Sequence, residues 1–325
     1  MAEHSSAIAP LGVLTAAFER SGSPYWLMDC IQQQGLDRRH GFELRIRYDD
    51  DQWQQGRHAT EAALLAGEVD FIDCDWLTLL RCRAEGAAIS AVYPYGRILG
   101  GLLVAAHSAI HELGDLAGAT LGVVNRRDKN WVLLQAYAQQ HHDLDLERVC
   151  RVVEVGSKTE LAVQLQQGHL DAALLYWHLL PGLVQQGCRL LVDIPLLLPA
   201  LGTQPAPTTF FLFRDALIQS QPALVHAFIA ALEDALQQLR QPQAWQRIGH
   251  ELLGIDDPEQ LRQLQRSWQN RIGQPWQPEQ IQGLWPLTQQ LTATPSSPFT
   301  HTEFTHTQFK QAFAWAFFQA PAQAT

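Results

Sequence analysis

The chain has 325 residues, a formal net charge of −10 and 46% hydrophobic residues, which is enough material for two folded units with apolar cores. The negative charge argues against a nucleic-acid partner, because binding a phosphate backbone requires a basic surface. No apolar run has the length of a membrane span, and the first ten residues, MAEHSSAIAP, lack the basic and apolar regions of a signal peptide.

Strands and helices are predicted to alternate along the first part of the chain. The predicted strands of the first half lie at 11–18, 42–48, 69–72 and 88–95. Tyr25 and Trp26 begin the helix that follows the first strand, and we expect them to form a wall of a cleft. The alternative for Trp26 is packing in the core of that helix. Tyr95 ends the fourth strand in a Tyr-Pro-Tyr-Gly turn, where the chain is expected to cross to a second unit.

The second half continues this alternation and then becomes helical. Its predicted strands lie in 102–124, at 149–155, at 170–175 and at 208–213. From about 216 onward, periodic apolar residues predict helices. The pattern predicts an α/β fold of two doubly wound lobes with mostly parallel sheets, a two-segment hinge and a helical C-terminal part. We predict one lobe at 8–98 plus 206–325 and the other at 99–205.

Two segments about one hundred residues apart share a sequence pattern. They read LLAGEVDFIDCDW at 64–76 and LQQGHLDAALLYWH at 165–178. In each, a helical run ends at a glycine, Gly67 or Gly168, that can adopt the left-handed C-cap conformation. A short strand and a polar, aromatic cluster follow. Ligands of open α/β sheets gather at the carboxyl ends of strands, so the repeat predicts two strand ends facing one cleft.

The first repeat places two carboxylates, Asp73 and Asp75, at its strand end. They are predicted to bind an amine or a cation, and capping of the next helix by one of them is the alternative. Trp76 and Trp177 occupy corresponding positions in the two repeats. They are expected to sandwich a flat ligand, unless both are core residues.

A second group of candidate ligand-binding residues lies in the other predicted lobe. Arg126 and Arg127, with Lys129 nearby, follow a strand and precede a helix, where backbone amides and guanidinium groups form anion sites. A solvated surface cluster is the alternative for these cations. The remaining candidates are Trp131, Tyr176 and His178.

The sequence contains no signature of catalysis or of a bound metal. The five cysteines form no CxxC pair, so a structural zinc site is not expected. GxSxG, P-loop and HExxH motifs are also missing from the sequence. We therefore expect no cofactor, no metal and no enzymatic activity.

Four ordered segments carry a resemblance to a known family. They read LLAGEVDF (64–71), HSAIHELGDLAGATLGVV (107–124), LQQGHLDAALLYW (165–177) and FFLFRDALIQSQPALVHAFIAAL (210–232). Together they resemble the substrate-binding proteins of ABC importers in the nitrate, taurine, alkanesulfonate and thiamine-precursor group. The charged and aromatic segments 73–76 and 125–131 depart from the family pattern, and they indicate a ligand other than a simple alkanesulfonate.

The resemblance implies a type II periplasmic-binding-protein fold. It also implies a monomeric protein in the periplasm, with a cytoplasmic location as the alternative. Such a protein passes a small polar or aromatic molecule, which can be a zwitterion, to an ABC permease in the membrane. Hinge motion would close the lobes over the ligand. Two other functions remain open. One is an enzyme of the pyrimidine-precursor synthase type on the same scaffold, although the chain lacks the Cys-rich run of those enzymes; the other is a ligand sensor.

Overall fold

The computed structural model describes residues 11–20, 22–49, 53–54, 57–299 and 302–318. Its strands are β1 (Gly12–Glu19), β2 (Phe42–Asp49), β3 (Trp53–Gln54), β4 (Arg57–His58), β5 (Phe71–Asp75), β6 (Ile89–Arg97), β7 (Gly101–Val104), β8 (Thr120–Val123), β9 (Arg151–Glu154), β10 (Ala172–Leu175), β11 (Arg189–Asp193) and β12 (Pro207–Arg214).

The helices flank these strands and fill the C-terminal third. They are α1 (Ser23–Gln33), α2 (Leu36–Arg39), α3 (Ala59–Leu65), α4 (Trp76–Ala84), α5 (Lys129–His142), α6 (Leu146–Val149), α7 (Lys158–Gln166), α8 (Leu180–Gln185), α9 (Leu197–Ala200), α10 (Asp215–Ser220), α11 (Pro222–Gln238), α12 (Pro242–Arg247), α13 (Pro258–Gln269), α14 (Pro278–Gln282), α15 (Leu284–Ala293) and α16 (His306–Gln311). None of the described helices is long and apolar enough to cross a membrane.

The strands form two five-stranded sheets and one small ribbon. The first sheet has the order β2-β1-β5-β12-β6, the second has the order β11-β7-β10-β8-β9, and β3 pairs with β4. The two-sheet α/β architecture and the helical C-terminal part agree with the sequence prediction. The predicted lobe boundaries stay a prediction, and their residues 8–10 and 319–325 lie outside the described residues.

Both five-stranded sheets are mostly parallel, as predicted, with one reversed strand in each. Pairs β1–β2 and β8–β9 are parallel, whereas β12 runs antiparallel to both β5 and β6. In the second sheet, β7 is likewise antiparallel to β10 and β11. Strands β7 and β12 are the first strands after the chain crosses from one sheet to the other, and each enters its new sheet against the direction of its neighbours.

Both repeat glycines adopt the predicted left-handed conformation. Gly67 has φ +74° and Gly168 has φ +73°, a region that a Cβ atom disfavours. Each glycine follows a helix and precedes a central strand, β5 in the first sheet and β10 in the second. The repeat therefore brings two equivalent strand ends to the space between the sheets.

The apolar core is continuous between the two sheets. One cluster joins Ile72 of β5 to Leu102 of β7 through helices α4 and α5. A second cluster packs α1 and α11 against the first sheet and includes Trp177, which follows a strand of the second sheet. The cleft between the sheets is thus bordered by shared apolar packing.

Candidate functional site

A cavity of about 150 Å³ lies where strand ends of both sheets meet. Residues at or just after the ends of β1, β5 and β6 contribute from the first sheet, and residues after β8 and β10 contribute from the second. The lining is dense in charged and aromatic groups. These are Glu19, Trp53, His58, Glu61, Asp73, Asp75, Tyr95, Arg97, Arg127, Asp128, Lys129, Lys158, Tyr176, Trp177 and His178.

Asp73 presents a buried carboxyl group to this cavity. It lies on β5 beside Phe211 of β12, and the Tyr95 hydroxyl donates a hydrogen bond of 3.0 Å to its Oδ2 atom. Burial raises the pKa of Asp73 to about 6, against the smaller opposing effect of the Tyr95 hydrogen bond. An ionised Asp73 is consequently costly until a cationic group or a further donor approaches it.

Asp75 also faces the cavity, but its carboxylate already caps a helix. Its Oδ1 atom accepts hydrogen bonds from the backbone amides of Leu77 at 2.9 Å and Thr78 at 3.0 Å. Burial raises the pKa of Asp75 as well. The sequence left two roles open for Asp75, ligand binding and helix capping. Its position is compatible with both, because the helix-capping carboxylate also lies in the cavity wall.

The capping role gives a first expected result. Asp75→Ala should lower the free energy of unfolding by about 0.5–2 kcal/mol, because two amides at the start of α4 lose their acceptor. Asp75→Asn should lose less, since an asparagine oxygen can still accept at a helix N-terminus. Urea unfolding of both variants followed by circular dichroism measures the difference. Equal stability of Asp75→Ala and the unaltered protein would show that this cap contributes nothing.

Lys129 begins α5 on the opposite side of the cavity. Burial disfavours its ammonium group, but the nearby carboxylates of Asp128, Asp75 and Asp73 together outweigh that effect and raise the pKa of Lys129. Asp128 is held by two contacts, because it caps α5 through the amide of Asn130 and accepts a hydrogen bond from the Tyr176 hydroxyl. Lys129 is therefore a charged cation that borders an acidic part of the cavity.

A second charged group connects elements of the two sheets at the cavity wall. Glu19, the last residue of β1, lies 2.8 Å from His58 Nε2 and contacts the ammonium group of Lys158 at the start of α7. The Lys158 ammonium lies 4.8 Å from the centre of the Tyr176 ring. Burial lowers the pKa of Lys158, whereas the adjacent Glu19 carboxylate favours its charged form.

Three tryptophans predicted to contact a ligand lie in the core instead. Trp76 is 0% exposed, and its indole donates a hydrogen bond of 3.0 Å to Thr288 of α15. Trp131 is also fully buried, on α5. Trp26, near the start of α1, is 1% exposed and packs against other aromatic rings. None of the three lines the cavity, so Trp76 and Trp177 do not form the expected sandwich.

Two further candidates also point elsewhere. The Arg126 guanidinium donates to Glu147 at 2.9 Å and to the carbonyl of Val152 at 2.9 Å, which holds it away from the cavity. Tyr25 packs edge-on against Tyr48, with ring centroids 4.7 Å apart, and it is not a lining residue. Of the two arginines, only Arg127 lines the cavity, and it is exposed to solvent.

The cavity brings together eight residues that were singled out from the sequence. They are Asp73, Asp75, Tyr95, Arg127, Lys129, Tyr176, Trp177 and His178. Sequence reasoning missed Glu19, His58, Asp128 and Lys158. Glu19 carried a usable signal, because it is the polar residue that directly follows the first predicted strand, where ligands of α/β sheets bind. His58 carried none, since the short β3–β4 ribbon that positions it was not predicted.

The fold is that of periplasmic binding proteins, as three solved structures show. The alkanesulfonate-binding protein SsuA from Xanthomonas axonopodis pv. citri, bound to MOPS, has a TM-score of 0.69 at 17% identity, over 90% of this chain and 96% of that one. The aliphatic sulphonate binding protein SsuA from Escherichia coli has 0.65 at 17% identity, over 92% and 99%. A ligand-binding component of an ABC-type import system from Staphylococcus aureus, with zinc bound, has 0.66 at 13% identity, over 93% and 99%.

The family is defined by a direct sequence match. The family model described as NMT1/THI5 like matches residues 40–244, which is more than half of the chain. The chain therefore belongs to the NMT1/THI5-like family. No curated protein sequence matches the chain significantly.

Proposed function

We propose that this protein is the periplasmic solute-binding component of an ABC importer. We further propose that its ligand is a small molecule with an amine or amidine-like group, which is either cationic or a hydrogen-bond donor. The fold and the family support the first part of this proposal. The charge distribution of the cavity supports the second part.

The observation that carries the proposed ligand class is the excess of carboxylates around Lys129. Asp73, Asp75 and Asp128 all influence the Lys129 ammonium, so the part of the cavity around Lys129 holds more potential negative charge than positive charge. Glu19 lies in a separate group and is already paired with Lys158. A sulfonate placed beside Lys129 would meet one ammonium and up to three carboxylates, and like charges at close range cost several kcal/mol.

The same geometry favours a ligand that is both a donor and an acceptor. Asp73 offers a carboxyl group that a ligand amine can satisfy, and a charge-assisted hydrogen bond of this kind is stronger than a neutral one. Lys129 offers a donor for a ring nitrogen, a carbonyl or an anionic group on the same molecule. Tyr95 and Trp177 provide aromatic surface beside them. An amino-substituted heteroaromatic ring or a zwitterion meets all of these requirements.

A binding panel tests the ligand class. Calorimetric titration with an aminopyrimidine, taurine, ethanesulfonate and nitrate should give at least about tenfold tighter binding of the aminopyrimidine or taurine than of either plain anion. Lys129→Met should weaken the best ligand by roughly tenfold or more, because a charged hydrogen-bond donor is lost. Lys310→Met is the matched control, since Lys310 is exposed on α16, and it should bind like the unaltered protein.

A second measurement separates binding of an unchanged ligand from its enzymatic conversion. Mass spectrometry of small molecules released from the purified protein should recover an unmodified ligand of the same class. Tight binding of ethanesulfonate or nitrate together with no binding of the amines would overturn the proposed ligand class. Conversion of an added ligand into a new product would overturn the proposed binding function.

A further inference from the structure

Trp177 crosses from one half of the molecule to the other. It follows β10 of the second sheet, yet its side chain is 6% exposed within the core cluster of the first sheet. Its ring centroid lies 5.5 Å from that of Trp26 on α1 and 6.3 Å from that of Trp268 on α13. Trp245 on α12 packs against the same two partners at 5.7 Å each. We call these four residues the tryptophan cluster.

A charged contact joins the same two halves on the cavity wall. Lys158, at the start of α7 beside the second sheet, reaches Glu19 at the end of β1 in the first sheet. Lys158 is 8% exposed, so this is an ion pair largely screened from solvent. The apolar and the charged contact both lie on the border of the cavity, because Trp177, Lys158 and Glu19 all line it.

We propose that Trp177 is an aromatic latch that holds the two sheets together over the cavity without help from a ligand, with the Lys158–Glu19 pair as a secondary contact. Separating the sheets at this border would expose the Trp177 ring together with the faces of Trp26 and Trp268 that it covers. A tryptophan buries roughly 150–250 Å², and removal of apolar area from water is the main force that holds such contacts.

The latch makes a prediction about the equilibrium between closed and open forms. Each aromatic pair is worth a factor of roughly 2–10 beyond the area it buries, and Trp177 makes two such pairs in the other half. Loss of the ring should therefore shift the ratio of open to closed molecules by about 4- to 100-fold. Because Trp177 also lines the cavity, a ligand that contacts it would bind to a molecule whose two sheets are already held together.

Small-angle X-ray scattering of ligand-free protein tests the latch directly. The protein is unfolded in guanidinium chloride, dialysed free of small molecules and refolded. The unaltered protein should have the radius of gyration of the structure with its two sheets in contact, whereas Trp177→Ala should show a larger radius of gyration. Trp177→Phe keeps one aromatic ring and should fall between the two. Leu196→Ala is the control, because Leu196 is 65% exposed on the second-sheet side, and its scattering should not change.

Two results would overturn the latch. One is a ligand-free, unaltered protein that already scatters as an open form. The other is a Trp177→Ala variant that is folded by far-ultraviolet circular dichroism and has the unaltered radius. If Trp177→Ala does not fold, the comparison rests on Trp177→Phe and Lys158→Met, which must then both increase the radius. No ligand is used, so the outcome is independent of the proposed ligand class.

Discussion

Trp76→Ala is expected to lower the free energy of unfolding by about 3–5 kcal/mol, the range typical of a buried tryptophan replaced by alanine. Trp76 is fully buried at the start of α4, and its indole nitrogen donates to Thr288. The substitution removes that hydrogen bond and leaves a cavity between α4 and α15, which the surrounding helices can fill only in part. Urea unfolding monitored by circular dichroism measures the loss.

Trp76→Phe separates a core role from ligand contact. Phenylalanine retains much of the ring, and Thr288 keeps its own hydrogen bond to the carbonyl of Leu284, so the loss of stability should be well below that of alanine. The affinity of Trp76→Phe for the best ligand of the panel should equal that of the unaltered protein. A variant with normal stability and at least tenfold weaker binding would return Trp76 to the binding site.

Asp73→Asn is expected to weaken binding of an amine-bearing ligand by about 1.5–3 kcal/mol, which is the usual contribution of a hydrogen bond to a charged group. The substitution retains the size of the side chain and an acceptor oxygen for the Tyr95 hydroxyl. Calorimetric titration with the aminopyrimidine of the panel gives the difference. Asp256→Asn, which alters an exposed carboxylate, is the control and should not change the affinity.

The pH dependence of this variant has a definite sign. The folded-state pKa of Asp73 is raised from 3.8 to about 6, so the ionised carboxylate destabilises the fold. That cost is absent below about pH 4, develops between pH 4 and 6, and is complete above 6. The stability of Asp73→Asn relative to the unaltered protein should therefore increase over this interval. Affinity for a permanently cationic ligand should increase with pH through about 6 in the unaltered protein, and this increase should be smaller in Asp73→Asn.

A flat stability difference between pH 4 and 7 would show that burial does not perturb Asp73. Equal affinity of Asp73→Asn and the unaltered protein for every amine in the panel would remove this carboxylate from the binding site. The two readings are independent, because the first needs no ligand. Together they distinguish a carboxyl group that is merely buried from one that binds the ligand.

The repeat was predictable because it depends on local backbone chemistry. Gly67 and Gly168 end helices in the left-handed region, and that requirement is visible in the sequence. The strand after Gly67 begins two residues later than predicted, at Phe71. Asp70 is the reason, because its side chain accepts hydrogen bonds from the amide and the hydroxyl of Thr15, a long-range contact that a local pattern does not reveal.

The site was only partly predictable because side-chain direction depends on distant packing. Trp76 and Trp177 hold equivalent places in the repeat, but Trp76 turns toward α15, which lies more than two hundred residues further along the chain. Arg126 turns toward Glu147 on α6, which leaves Lys129 as the cation that Asp73, Asp75 and Asp128 influence. The directions of these side chains are thus set by contacts with residues that are distant in the sequence.

The place of β12 between β5 and β6 fixes the order in which the two sheets can be completed while the chain emerges from its N-terminus. All strands of the second sheet lie between Gly101 and Asp193, so one continuous stretch of nascent chain supplies them. The first sheet must wait for Pro207–Arg214, and until then β5 and β6 have no strand between them. The strands of the first sheet therefore emerge first, but their sheet is completed last. Until β12 emerges, β5 and β6 have unpaired edges that favour aggregation.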